Sequence, residues 1–296
     1  MPTTPGLIGV VTVTFQSRAV LPEFLDTLAA QSHRSFRLYA VDNASSDGSA
    51  QFTQQHSAAL SIPITLIANP DNRGVAAGNN QGIRAALLDG CEYILLLNND
   101  VRLHPALLAE LLAGARRHSA PMAAPLIYLY DSPNVFWSAG GTLQRIFGNR
   151  SHQTAEGIRD RGQFPADRRI SFAPSCCLLL HHSVFASIGL MDERYFAYWD
   201  DPDFLLRARR ANLSLYLIVS ARLWHRVGAS TSQISGFALR FATRNHAYYL
   251  RKHHAAPIAF FWILIYLTVF ALGAPFSQRR RTQLRSWLEG CRIPLA

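Results

Sequence analysis

The sequence predicts an α/β domain in which a mostly parallel sheet is flanked by helices on both faces. Three observations carry that expectation. Short apolar or β-branched runs at residues 7–14, 36–41, 64–68 and 93–97 alternate with helical stretches across the first hundred residues. The run Ile94-Leu95-Leu96-Leu97 is apolar without alternation, as suits a parallel strand covered on both faces. Each strand ends in a polar loop, and in a doubly wound sheet such loops collect on one edge, where ligands bind.

In chain order, residues 7–14 are β-branched and form the first strand, and a helix over 21–31 carries Pro22 in its first turn, where a missing N–H costs little. The second strand runs into Asp42-Asn43-Ala44-Ser45-Ser46-Asp47-Gly48-Ser49, a dense set of turn and cap residues. A helix and the strand 64–68 follow, then a polar loop from Asn69 that leads into a helix ending near Asp89. The strand 93–97 stops at Asn98-Asn99-Asp100. A carboxylate just past a central strand makes Asp100 the first candidate for chemistry, although the same three residues also read as a polar turn capping the helix that begins near Pro105.

Beyond that helix, residues 122–129 read as a strand, and 140–169, polar and without period, as a mobile or inserted loop. Such a loop suits acceptor contacts or a lid, or simply a solvated surface. A strand at 176–181 and a helix at 183–188 precede Tyr195-Phe196-Ala197-Tyr198-Trp199-Asp200-Asp201-Pro202-Asp203, which opens a helix over 204–210. Acidic residues suit a helix N-terminus in any case. The aromatic residues beside these argue that one carboxylate is partly buried and poised as a general base. After a strand at 215–219 comes Leu223-Trp224-His225, where a lone histidine beside a tryptophan reads first as structural.

With 29 Lys and Arg against 19 Asp and Glu, the 296-residue chain is basic and suits an anionic partner. No basic run interleaved with aromatics and no finger spacing supports nucleic acid. The four cysteines make neither a disulfide framework nor a metal-spaced set, and the first residues lack a signal peptide, so a cytosolic catalytic part is expected. No G-x-G-x-x-G and no G-x-x-x-x-G-K-[ST] segment occurs. Nucleotide phosphates would therefore need another neutraliser, and Mg²⁺ or Mn²⁺ on Asp100 would serve.

These motifs, in their order, resemble a family-2 glycosyltransferase of the GT-A type fold, and most closely its bacterial rhamnosyltransferase-like members, over roughly residues 7–253. Val11-Thr12-Val13-Thr14-Phe15 resembles the first-strand motif, and Val41-Asp42-Asn43 with the turn after it the nucleobase-binding turn. Asn69 to Asn80 is similar to the N-x-G-x-[AS]-x-x-N segment that wraps the nucleotide, and Leu97-Asn98-Asn99-Asp100-Val101 to the D-x-D-type metal motif. Asp192-Glu193-Arg194-Tyr195-Phe196, with Asp200-Asp201-Pro202-Asp203 and Arg207, resembles the acceptor and catalytic region, and His225 falls at a late metal-binding histidine.

The resemblance implies donor contacts from Thr14, Phe15, Asp42, Asn43, Asn72, Arg73, Gly74, Asn79, Asn98, Asn99 and Asp100. It implies Asp100 and His225 as metal ligands for Mg²⁺ or Mn²⁺, Asp201 as catalytic base, and Trp199, Asp200 and Arg207 on the acceptor side. Asn98 stands in place of the motif's first carboxylate, and Asp200 in place of the usual Glu, which leaves Asp200 a rival base. The implied reaction is a single inverting displacement from a dTDP- or UDP-sugar, carrying rhamnose or another hexose to a glycan or polyprenyl-linked saccharide in cell-surface polysaccharide assembly. A sugar-nucleotide pyrophosphorylase would carry a Gly-rich segment after the first strand, which Thr14-Phe15-Gln16-Ser17-Arg18 does not. A membrane-attached sugar-nucleotide-binding scaffold without catalysis is the alternative.

The catalytic domain is expected over 1–253 and a basic-flanked, membrane-associating segment over 254–296. Residues 255–277 are uncharged, and a helix between Pro257 and Pro275 would be about 26 Å long, marginal for spanning. Basic residues on both sides favour a helix that lies in the interface or re-enters, with burial in the core or a dimer contact as alternatives. The expected site of action is the cytoplasmic face of the inner membrane, with the protein peripheral or monotopic.

Overall fold

The computed structural model describes residues 3–144, 151–227 and 236–295. Its first half alternates β1 (Thr4–Thr14), α1 (Leu21–Ala29), β2 (Phe36–Asp42), α2 (Ser49–Ala59), β3 (Ile64–Ala68), α3 (Gly74–Leu88) and β4 (Cys91–Leu97). Next come β5 (Val101–Leu103), α4 (Leu107–Arg117), β6 (Met122–Leu129), β7 (Phe136–Ser138), β8 (Gly141–Leu143), β9 (Ser151–Gln153) and β10 (Arg168–Ile170). The chain closes with β11 (Cys177–His181), α5 (His182–Ile188), α6 (Asp200–Arg210), β12 (Leu215–His225), α7 (Phe237–His253), α8 (Ala256–Gly273) and α9 (Gln278–Arg292).

The main sheet has the order β10-β12-β6-β11-β4-β1-β2-β3, with β5 on β12 and β7 on β6. Strands β1 to β4 run parallel, β11 is antiparallel between β4 and β6, and β12 is parallel to β6. One edge thus gathers the C-terminal ends of β1, β2, β3 and β4 and the first residues of β11. Alternation along β1 divides the core. Ile8 and Val10 face α1 and α4, whose buried leucines and Phe24 form one layer, while Val11 faces α3 and α6. Helix α3 lies close on β1 because Gly78 and Gly82 offer no side chain: a Cβ at Gly78 would sit 2.9 Å from Val13. That closeness carries the start of α3 to the edge where the strands end.

The segment expected as a loop over 140–169 is partly regular. β8 pairs with β9, and β10 adds to the edge of the main sheet against β12. Strands of three residues are too short to show a period, which is why the sequence does not announce them. Asp167 anchors the stretch: its carboxylate accepts the Val219 N–H at 3.0 Å and pairs with Arg117 and His118 at 2.8 and 2.9 Å. Residues 145–150 of that segment lie outside the described residues. At the C-terminus, α8 is the expected apolar helix, and α9 turns back to pack on α7 with Trp287 fully buried.

Candidate active site

The donor side is built from strand ends. Thr14 Oγ1, at the end of β1, donates to Asp42 Oδ1 at 2.8 Å, and the Ser45 N–H donates to Asp42 Oδ2 at 2.9 Å, so both oxygens of the buried Asp42 are oriented. Phe15 lies half-buried next to them. A relay of amides joins the loops after β2 and β3: Asn69 Nδ2 donates to Asn43 Oδ1 and to Gln81 Oε1, and Asn43 Nδ2 donates to the Gly74 carbonyl at 3.1 Å. Asn99 donates to the Val13 carbonyl at 2.8 Å, which fixes the end of β4 to the end of β1.

The loop 72–74 is stitched to the opposite wall. Asn72 Oδ1 accepts the Gly74 N–H at 2.9 Å, and the Val75 N–H donates to the Phe196 carbonyl at 2.7 Å. Gly74 has φ +81°, and any Cβ there would collide with the Phe196 backbone, so both conformation and space require glycine. Arg73 is exposed beside Asp71, free to reach toward a base. Asn79 is buried, its amide 3.8 Å from Met191 Sδ.

Asp100 and His225 meet because β5 pairs with β12 in a register that sets Val101 opposite His225. The Arg226 N–H also donates to the Asp100 carbonyl at 2.8 Å. Asp100 Oδ1 lies 3.2 Å from His225 Nε2, within reach for charge pairing but not aligned as a hydrogen bond. Both side chains are buried, and Asp100 Oδ1 and His225 Nδ1 have no hydrogen-bond partner. Buried polar atoms left this way are what a missing cation would satisfy. A carboxylate and an imidazole suit Mn²⁺ or Mg²⁺, which complete their shells with water and phosphate oxygens.

Among the described residues no group of three or more such ligands forms, and Asn98 is solvent-exposed, its backbone N–H tied to the Cys176 carbonyl at 2.9 Å. Burial opposes a charge on the His225 ring, while the neighbouring Cys176 and Asp100 side chains raise it above its ordinary value. Burial raises the Cys176 thiol.

The third part is the first turn of α6, which begins four residues before the expected helix, at Asp200. The chain enters it through two residues in left-handed conformation, Tyr198 and Trp199, with φ of 65° and 71°. Non-glycine residues persist there only when their surroundings fix them. Asn245 of α7 does so, donating from Nδ2 to the Ala197 carbonyl at 2.7 Å and the Tyr198 carbonyl at 2.9 Å. The Trp199 indole donates to the Ala242 carbonyl and stacks on His246, so it packs against α7.

This corner buries Asp200, 4 % exposed, and leaves Asp201 half-buried with its carboxylate facing the Ser175 N–H. Ser175 precedes Cys176, whose thiol neighbours His225, so the loop that enters β11 borders both Asp201 and the Asp100–His225 pair. Burial and the charge of Asp200 hold the Asp201 carboxyl well above the usual carboxylate range. Burial, then Asp203, raises Asp200.

Asp203 behaves oppositely. It is fully buried, yet His253, Lys252 and Arg207 hold it below the usual range, at 2.7, 2.6 and 3.0 Å. Lys252 also reaches Asp192 at 2.7 Å, where Arg194 and Tyr248 join it. Arg207 further donates to the Ile188 and Leu190 carbonyls, and so braces the turn before Asp192. Sequence reasoning missed Asn245 and Lys252, and placed Asn80 in the nucleotide-wrapping segment without a role of its own. Asn80 donates to the Met191 carbonyl and Glu193, and accepts the Met191 N–H. An amide in the interior of a helix, directly after Asn79, was the available signal for it.

Comparison with known proteins agrees with this geometry. The model of "Glycosyl transferase family 2" matches residues 9–189. The chain is 28 % identical over 276 residues to the N-acetylglucosaminyl-diphospho-decaprenol L-rhamnosyltransferase of Mycobacterium tuberculosis, covering 86 % of this chain and 83 % of that one. It is 23 % identical over 216 residues to the dTDP-rhamnosyl transferase RfbF of Shigella flexneri, covering 70 % of each.

Among solved structures, S. aureus TarS 1–349 in complex with UDP-GlcNAc superposes with a TM-score of 0.59 at 15 % identity, over 96 % of this chain and 79 % of that one. Against full-length TarS the chain spans 44 % of the longer protein. GalNAc-T7 with UDP, GalNAc and Mn²⁺ gives a TM-score of 0.67 at 10 % identity, over 96 % of this chain and 55 % of that one. These likenesses show the GT-A type fold. With 181 of its 296 residues inside the family's model, this chain belongs to glycosyl transferase family 2.

Proposed function

We propose that the chain is a metal-assisted, inverting hexosyltransferase that moves rhamnose or another hexose from a dTDP- or UDP-sugar to a hydroxyl of a polyprenyl-linked saccharide. The reaction belongs to cell-surface polysaccharide assembly at the cytoplasmic face of the inner membrane. Two observations support the reading: the half-buried Asp201 carboxyl is held above the ordinary range and faces the Ser175 N–H, and the buried Asp100–His225 pair lies beside Cys176, the next residue in the chain. The relatives act on a decaprenyl-linked sugar in one case and are named for dTDP-rhamnose in the other, which supports the acceptor and donor classes.

Thr14, Phe15, Asp42 and Arg73 would receive the nucleoside, with Asn43, Asn72, Gly74 and Asn99 holding the loops around it. Asp100 and His225 would hold Mg²⁺ or Mn²⁺, which when bound supplies positive charge for the donor diphosphate. Asp201 takes the proton of the acceptor hydroxyl as that oxygen bonds to the anomeric carbon and the bond to the diphosphate breaks. The proton stays on Asp201, and the nucleoside diphosphate leaves with the bonding electrons. One displacement needs one base, so no second catalytic carboxylate is required, unlike a retaining glycosidase.

Calorimetric titration with dTDP, UDP and GDP, with and without Mn²⁺, tests the donor site. The expected result is metal-dependent binding of one of them, lost in Asp100→Ala, and transfer to a polyprenyl-linked acceptor lost in Asp201→Asn. Absence of binding to all three would remove the transferase reading. Exposed Asn98 favours the binding-only alternative, since it is a weaker metal ligand than a carboxylate. Donor turnover that depends on Asp201 separates the two.

A further inference from the structure

We infer that α8 lies in the plane of an anionic bilayer, as the lipid-facing arm of a hairpin whose other arm, α9, is clamped to the catalytic domain. This goes beyond the transferase reading and does not depend on it. Helix α8 has 18 residues and no charged side chain, and is about 27 Å long. Its two sides differ. Ala259 and Phe270 are buried on the side toward α7 and α9, with Tyr266 and Phe270 ring centroids 4.9 and 5.5 Å from that of Trp287. The other side is open along the whole helix: Phe260 is 66 % exposed and Leu272 71 %, with Phe261 and Leu264 between them and Phe276, 89 % exposed, just beyond. An apolar face this long and continuous marks an interaction surface.

The returning arm decides what the surface meets. Trp287 is fully buried, and Gly290 lets the α9 backbone close on the Arg244 carbonyl, where any Cβ would collide. Arg251 donates to the Ile293 carbonyl at 2.7 Å, and Arg244 pairs with Glu289 at 3.1 Å. So α9 is fixed to α7, and α7 is fixed to the site by Asn245, Lys252 and His253.

Yet α9 opens with Arg279-Arg280-Arg281 and continues with Arg285, and among the described residues none of these four pairs with a carboxylate. Cations at a helix N-terminus are disfavoured by its dipole, so they need anions from elsewhere. If α8 spanned the bilayer, the packed α9 would be drawn in with it: Arg279, Arg280 and Arg281 would have to cross to the far interface and Arg285 would enter hydrocarbon, which is expensive. Lying in the plane, α8 buries its open side among acyl chains while α9 holds its arginines at the level of anionic headgroups. A second copy of the chain would meet the same row of arginines with like charge, which disfavours it as the occupant.

The test is flotation of the full chain with vesicles of phosphatidylcholine, with and without one quarter phosphatidylglycerol. The expected result is co-flotation that is strong with phosphatidylglycerol and falls at least tenfold in Leu264→Glu, and separately in the triple change of Arg279, Arg280 and Arg281 to Gln. Circular dichroism and melting temperature confirm that these exposed-site variants fold, and nucleoside diphosphate binding in solution stays unchanged. Spin labels at Phe260→Cys, Leu264→Cys and Leu272→Cys are then expected at one shallow depth. A depth that passes through the bilayer centre along the helix overturns the proposal in favour of a span. Failure to float in either lipid, with a dimer that Leu264→Glu dissociates, overturns it in favour of a second copy.

Discussion

Replacing Asp200 by Asn separates the two adjacent carboxylates of α6. Asp200 is 4 % exposed, and burial, with the Asp203 charge behind it, pushes its carboxyl up to about 6. That is about two units above an ordinary Asp, and each unit is about 1.4 kcal/mol, so ionised Asp200 costs the native state about 3 kcal/mol at neutral pH. Asn keeps the size and an acceptor oxygen for the helix N-terminus. Because the neighbouring carboxylates share the repulsion, the expected net gain in stability is about 1–3 kcal/mol at pH 7–8, or roughly 2–5 °C in Tm.

The sign follows from a raised carboxyl. The cost exists above the folded value and disappears as pH falls below the unfolded one, so the gain shrinks toward zero between about pH 6 and pH 4. Turnover should fall less than tenfold, and the acid limb of the kcat/KM profile should move to lower pH, because Asp200 no longer raises Asp201. Denaturant melts from pH 4 to 8 and transfer rates over the same range provide both readouts. If Asp200→Asn abolishes transfer as fully as Asp201→Asn and lowers the Tm, then Asp200 is the base and the assignment here is wrong.

Asp201→Asn itself should lose at least about 100-fold in kcat, with donor binding unchanged by calorimetry. Lys252→Met leaves the buried Asp192 and Asp203 short of a cation and should cost about 3 kcal/mol at pH 7 in urea melts. Both carboxyls are held below their usual range, largely by His253, Arg194 and Lys252 against burial. The Lys252 contribution is therefore full above about pH 4 and is lost as pH falls through the lowered values, so the difference between variant and wild type should shrink steadily in acid. Gly74→Ala meets the Phe196 backbone at positive φ and should cost about 2 kcal/mol and raise the donor KM; an unchanged KM would detach this loop from the donor side.

The nucleotide half of the site was legible because its signals are local. Asp42, Asn43 and Asp100 each follow an uninterrupted strand, and the strands over 36–42, 64–68 and 122–129 fall within a residue of where their apolar runs place them. The candidate base was legible by type alone: acidic residues after aromatics pointed to one poised carboxylate and the family resemblance to Asp201, but neither showed the left-handed corner that half-buries Asp201 and buries Asp200. β12 reads as ending near Val219 because a register shift between Ile218 and Arg222 interrupts its alternation, and only the full strand delivers His225 to Asp100. Helix α7 escaped because its buried side is polar and aromatic, with Asn245, His246, Tyr248, Tyr249 and His253 where a core-facing helix usually shows aliphatics. Its contacts lie 40 to 60 residues away in sequence, beyond any periodic signal.

The site therefore has two supports of different kinds. The proposed donor wall rests on backbone geometry: parallel strands in register, a glycine contact between α3 and β1, and amides that tie loop to loop. The proposed acceptor wall, from Asp192 to Asp203, rests on charge, with Lys252 joining its two ends and Asn245 fixing the corner between. The walls meet at few points, chiefly Val75 N–H to the Phe196 carbonyl and Asn80 to Met191. Changes at the charged wall should thus alter the rate of transfer while leaving nucleotide affinity intact, whereas changes at Gly74 or Asn80 should move both. Measuring dissociation constant and kcat for Lys252→Met beside Asn80→Ala distinguishes these; equal loss of affinity in both would mean that the two walls form one cooperative unit.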